Sequence, residues 1–229
     1  MRVNNRHVSF YYQNDNDIGE IVIEQEKTAL LVIDMQKVFI CRQISDQPTP
    51  DEQAEAERWE PFYQKIDKVV VPNNQKLLKA FRSKNMNICF AKIQCQKKDG
   101  CDRSLDQKAT GYNELLLPAG SPLAEIVPEL APIDDEIVVE KTTDSVLTGT
   151  SLRLWLHNMG IDTAVCTGVL TDQCVSGTVR SLADESFKVW LIEDACMAST
   201  QQIQDNELEI LNNIYCHVIN TEELLEALK

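Results

Sequence analysis

Histidine is nearly missing from this chain, with three in 229 residues. His7 falls in a polar N-terminal stretch, His157 on an expected helix and His217 in a late expected strand. None is placed to pair with a cysteine, which argues against a Cys-His dyad of the papain kind. No C-x-x-C pair occurs among the eight cysteines. Cys95 and Cys101 flank the polar QKKDG loop, but no nearby histidine completes a zinc set. Cys89, Cys166 and Cys216 fall in expected strands, where a reduced thiol is a small core residue. No stretch approaches the roughly 20 apolar residues of a membrane span, and MRVNNRHVSFYYQNDND has no apolar signal-peptide core. Positive charge is also in deficit. The 22 Lys and Arg against 36 Asp and Glu leave a net charge of −14, which argues against nucleic acid or an anionic membrane as partner. A cytoplasmic protein with reduced thiols is expected.

What the chain does contain is an alternation of apolar strands and amphipathic helices. A hydrophobic content of 43% is enough for the core of one α/β domain. Residues 28–229 are read as that domain. Residues 1–27 are read as an arm that packs on it or on a neighbour, with disorder as the alternative. Near-continuously apolar strands at Thr28 to Ile33, Asn87 to Ile93, Glu136 to Glu140 and Thr163 to Val169 imply a parallel sheet with helices on both faces. Pro72 is expected to start a helix through Asn85. Leu152, Trp155, Leu156 and Met159 recur at helical spacing, which predicts a buried stripe with Trp155 in the core. The terminal helix is expected to be capped by Thr221. Trp59, Phe62, Tyr63 and Ile66 mark an amphipathic insert over residues 45–66, read either as a lid or as a surface helix.

Cys174 stands out. The apolar run Thr163 to Val169 ends in a short turn, after which Val175, Val179 and Leu182 recur at helical spacing. A thiol at such a strand-to-helix elbow meets the positive end of the helix, which favours a thiolate. Asp34 closes the first strand and Lys141 follows the Glu136 to Glu140 run. In one parallel sheet all three emerge at the carboxyl edge, where ligands of open α/β sheets bind. An aspartate can take the thiol proton, and a lysine can stabilise the resulting anion. Phe39, Lys92, Gln94 and Gln173 stand as candidate substrate contacts near the same edge.

The strings TALLVIDMQ, EIVVEKTTDSVLTGTSL and GIDTAVCTGVLTDQCVSGTVRSLADESFKVWLIEDAC, in this order, resemble the isochorismatase-like cysteine hydrolases. Any one motif is weak, but the three together are specific and span about Thr28 to Leu228. The resemblance implies a Rossmann-like three-layer αβα sandwich with six strands. It also implies a catalytic triad of Asp34, Lys141 and Cys174, a cis peptide between Val169 and Leu170, an oxyanion hole from the backbone N–H groups of Leu170 and Cys174, and a dimer or tetramer. Metal-binding relatives of the nicotinamidase kind carry a second Asp after D-x-Q and a His pair after the second strand. Here position 38 is valine and Lys92 to Arg103 contains no histidine, so neither metal nor other cofactor is expected. The implied reaction is hydrolysis of a small amide or ureide that releases ammonia, with the nearest likeness to ureide amidohydrolases. Two alternatives stay open: vinyl-ether hydrolysis of isochorismate, against which the cysteine argues, and a non-catalytic binding protein on the same fold.

Overall fold

The computed structural model describes residues 6–14, 20–108 and 116–229. Part of the expected N-terminal arm and the end of the loop after the second strand, including Thr110, lie outside the described residues. The fold is a three-layer αβα sandwich built on six parallel strands in the order β3-β2-β1-β4-β5-β6. These are β1 (Thr28–Ile33), β2 (Asn87–Ile93), β3 (Ile137–Lys141), β4 (Thr163–Val169), β5 (Lys188–Met197) and β6 (His217–Ile219). The central pair β1 and β4 is buried along its whole length. Successive side chains of a strand point to opposite faces, so β1 serves two cores. Leu30 and Val32 pack with Phe62, Leu77 and Phe81, whereas Leu31 and Ile33 pack with Val139, Val179 and Leu182. Each fully buried Leu or Ile side chain contributes about 1.5–3 kcal/mol relative to exposure.

The helices in chain order are α1 (Lys37–Ile40), α2 (Pro50–Lys65), α3 (Val71–Ser83), α4 (Leu152–Asn158), α5 (Ser176–Asp184), α6 (Gln201–Leu211) and α7 (Thr221–Ala227). Pro72 does not start a helix. The chain is helical from Pro50 to Ser83, and a π turn at Ile66–Val70 joins α2 to α3, with the Val71 N–H reaching back to the Ile66 carbonyl. Pro72, which has no N–H to place, follows immediately. Trp155 is not core either. Leu152 and Leu156 are buried, but Trp155 is 39% exposed, because two turns of helix on the outer layer bury one narrow row. The cap of α7 is Asn220, one residue before the expected Thr221. Its side chain accepts from the Glu223 N–H, and Glu223 accepts from the Asn220 N–H.

Part of the N-terminal segment is fastened to the domain. Arg6 ion-pairs with Glu193 and Glu223, His7 meets Glu193 at 2.7 Å, and Asn212 donates to the Arg6 and His7 carbonyls. Glu193 and Asp194 lie within β5, and Asp194 accepts from the Thr221 hydroxyl and N–H. All eight cysteines are free. No helix among the described residues is long and apolar enough to cross a membrane.

Candidate active site

The carboxyl ends of β1, β3 and β4 meet at one point of the sheet edge. Asp34 leaves β1 with a left-handed backbone, φ 51°, which a short aspartate tolerates, and its N–H bonds to the Ala91 carbonyl of β2 at 3.0 Å. Two residues on, fully buried Gln36 donates from Nε2 to the carbonyls of Ile93 and Ala124, while its Oε1 accepts from the Ile93 N–H. The D-x-Q segment therefore divides its labour: the aspartate faces the site and the glutamine fastens β1 to β2 and to the 116–136 segment.

Lys141 is the last residue of β3, and its Nζ lies 2.7 Å from Asp34 Oδ2, with both side chains at most 1% exposed. It also donates to the Thr143 carbonyl. Cys174 sits in a π turn, Thr171–Val175, that leads from β4 into α5. The chain reaches that turn through Gly168, φ +115°, where an added Cβ would stand 1.9 Å from the Ile33 carbonyl oxygen. Only glycine lets the ends of β1 and β4 approach this closely. The Val169–Leu170 peptide is cis.

Burial pushes the Asp34 carboxyl above its ordinary range, against the pull of Lys141. Burial also works against the Lys141 cation, but the charges of Asp34 and Cys174 outweigh it and leave its pKa raised. The Cys174 thiol is driven well above its ordinary value, first by burial and then by the Asp34 charge, with Lys141 opposing. This corrects the expectation of a thiolate favoured by the helix start. The resting thiol is neutral, so its proton must leave during attack.

A small cavity of about 50 Å³ opens at this edge. It brings together Asp34, Phe39, Val169, Leu170, Gln173 and Cys174. Three polar residues that the sequence reading does not single out, Arg103, Gln107 and Asp144, also line it. Asp144 Oδ1 is 3.6 Å from Cys174 Sγ and accepts from Gln107 Nε2 at 2.6 Å. Gln107 Oε1 in turn accepts from Arg103 Nε and NH2 at 3.3 and 3.0 Å.

Lys92 is not at the cavity. Its register partner is Glu140, and its Nζ lies 3.6 Å from Glu140 and 3.8 Å from Glu125. Gln94 is buried, gives its N–H to the Lys141 carbonyl and does not line the cavity, while Lys97 and Lys98 are exposed. The larger groove of about 590 Å³, between residues 38–44 and α2, is lined by Arg42, Trp59 and Tyr63 but touches none of Asp34, Lys141 and Cys174. Volume alone therefore does not locate the chemistry. No residue of α2 lines the small cavity, so the 45–66 insert flanks the site without walling it.

A doubly covered parallel sheet with a thiol, a carboxylate and a buried ammonium at its carboxyl edge is the class of protein that fold and site define. Residues 28–223 match the family model of the isochorismatase domain, and the chain belongs to the isochorismatase family of hydrolases. It is 30% identical over 210 residues to the uncharacterized isochorismatase family protein YwoC of Bacillus subtilis (strain 168), covering 90% of this chain and 97% of that one. It is 26% identical over 162 residues to N-carbamoylsarcosine amidase of Arthrobacter sp, covering 69% and 61%. The crystal structure of a cysteine hydrolase from Pseudomonas syringae pv. phaseolicola 1448A shares the fold, with a TM-score of 0.76, 23% identity and coverage of 91% and 95%.

Proposed function

We propose that this hydrolase is a cysteine-dependent amidase that cleaves the terminal C–N bond of a small amide or ureide and releases ammonia. The observation that carries the reading is the convergence of a neutral thiol, a buried carboxylate and a buried ammonium, with Asp34 and Cys174 lining one cavity and Lys141 held 2.7 Å from Asp34. The similarity to an N-carbamoylsarcosine amidase supports C–N bonds as the target.

Cys174 Sγ attacks the substrate carbonyl carbon while Asp34 takes the thiol proton. Lys141 holds the charge on Asp34, and the backbone N–H groups of Leu170 and Cys174 receive the developing oxyanion. Collapse of the tetrahedral adduct breaks the C–N bond, and protonated Asp34 gives its proton to the nitrogen, which leaves as ammonia. Water then attacks the thioester and yields a proton to Asp34. The acid departs, and the proton returns to Sγ. A raised thiol pKa suits this sequence: the nucleophile is formed only when the base and a carbonyl are both in place.

The test is a screen of small primary amides and ureides for ammonia release, with intact-mass detection of an acyl adduct on Cys174. Ammonia appearing before the acid product supports the mechanism. Activity confined to isochorismate, with no ammonia from any amide or ureide, refutes it.

A further inference from the structure

Two carboxylates lie against the Cys174 sulfur, and the proton transfers described above use only Asp34. Asp34 hydrogen-bonds the thiol and is paired with Lys141. Asp144 Oδ1 also stands 3.6 Å from the sulfur. The two differ in their access to water, because Asp34 is 1% exposed and Asp144 is open to solvent. Of the described residues that line the cavity, only Asp144 and Gln173 are exposed. Water therefore reaches the sulfur past Asp144.

The position of Asp144 is built into the fold. The turn after β3 is fastened to the start of α5, where Val146 gives its N–H to Thr178 Oγ1 and Ser145 Oγ donates to Ser181 Oγ. A Cβ added at Gly177, three residues past Cys174, would stand 3.6 Å from Asp144 Cβ. Asp144 thus rests on the end of α5 that follows the nucleophile, and Gln107 Nε2 holds its Oδ1 at 2.6 Å. A carboxylate oxygen accepts more than one hydrogen bond. In the resting protein the second donor is the thiol. Once Cys174 is acylated the sulfur has no proton to give, while Gln107 still fixes the oxygen. An anionic acceptor then stands free beside the carbon that water must attack.

We propose that Asp144 positions the hydrolytic water in the second half of the reaction. The proposal rests on the covalent thioester of the amidase reading. One water proton goes to Asp34 while the other is hydrogen-bonded to Asp144, which aims the water oxygen at the acyl carbon. The C–O bond forms, the C–S bond breaks, and Sγ recovers the proton from Asp34. The acid gives its remaining proton to Asp144 as it leaves as a carboxylate, and Asp144 passes that proton to solvent. Asp34 serves both halves of the reaction, and Asp144 serves deacylation alone.

Acetyl transfer from p-nitrophenyl acetate loads Cys174 without cleavage of an amide, so deacylation can be read by itself. The acetyl group on the Cys174 peptide is followed by quenched mass spectrometry in wild type, Asp144→Ala and Asp144→Asn. Acetylation should proceed alike in all three. Loss of the acetyl group to water should slow about ten- to a hundredfold in Asp144→Ala, and less in Asp144→Asn, which keeps a neutral acceptor. Hydroxylamine attacks a thioester without the help of a carboxylate, and it should strip the acetyl group equally fast from wild type and Asp144→Ala. Equal loss to water from both proteins would overturn the proposal, as would a slow loss that hydroxylamine fails to restore, which marks a distorted pocket. If amides still yield ammonia in that case, the amidase reading stands without it. Deacetylation that depends on Asp144, in an enzyme that releases no ammonia from any amide or ureide, would uphold the proposal and sink the amidase reading.

Discussion

Replacing Lys141 by methionine keeps the length of the side chain and removes its charge, leaving Asp34 alone in a site where each partner is at most 1% exposed. Breaking a buried pair by deleting one member costs about 3–5 kcal/mol. For a chain of this size, that corresponds to a drop of about 6–20 °C in Tm near neutral pH. The loss has a defined pH dependence. With Lys141 gone, only the Cys174 hydrogen bond is left to oppose the burial that already lifts the Asp34 carboxyl above its ordinary value of 3.8. Below that value the carboxyl is protonated in both folded and unfolded chains, and the variant pays no charge penalty. Above it the unfolded chain ionises first, so stability falls by about 1.4 kcal/mol per pH unit until the folded carboxyl ionises as well. The difference in Tm between variant and wild type, followed by circular dichroism from pH 4 to 8, should therefore widen with pH. Asp34→Asn combined with Lys141→Met removes both charges and should be more stable at pH 8 than Lys141→Met alone. A single-variant cost under about 1 kcal/mol, a difference that does not change with pH, or strict additivity in the double variant would refute the account of this pair.

Other outcomes follow from the same site. Cys174→Ala should lose turnover by several orders of magnitude yet unfold within a few degrees of wild type, since it deletes a nucleophile at a cavity edge; turnover within tenfold of wild type would remove Cys174 from the mechanism. The acid limb of kcat/KM reports the carboxyl that must be ionised to act as base, and burial places its midpoint above the ordinary aspartate value of 3.8; in Asp34→Asn the residual activity should lose that limb, and its persistence would point to another base. Extended dialysis against EDTA should leave the rate unchanged, and recovery of a lost rate on adding zinc would contradict the reading of the donor set.

The sheet was legible because buried parallel strands leave an unmistakable trace. Thr28–Ile33, Asn87–Ile93 and Thr163–Val169 occupy the same residues in the sequence reading and in the structure. Parallel connectivity then places Asp34, Lys141 and Cys174 at one edge without any knowledge of side-chain contacts. Helix α4 was read less well, since periodicity marks which residues share a face and not how wide a strip of that face is covered. Trp155 falls at the uncovered margin. The π turn before Pro72 was hidden for a related reason: proline signals a helix start, and a local widening of the helix that tolerates it has no composition of its own. Arg103, Gln107 and Asp144 were missed because two of them lie in a polar loop and one in a turn. No repeat distance relates them, and only the folded chain sets them in a row. For Lys92 a usable signal did exist, as an acidic residue stands opposite it on the neighbouring strand, Glu140.

Gly168 carries no reacting atom, yet it decides how near Asp34 and Cys174 can come. A saturation screen scored only by growth or product would rank position 168 beside position 174 as intolerant, and the two would look like the same kind of residue. They differ in what a failed variant leaves behind. A Cys174 variant should accumulate as a folded, inert protein, whereas Gly168→Ala must separate two strand ends that now share the space of one Cβ, and it should be recovered in low soluble yield. Any survey of natural or engineered relatives that equates an unchanging position with a chemical role would therefore count one residue too many at this edge, and measuring soluble yield alongside rate removes the error.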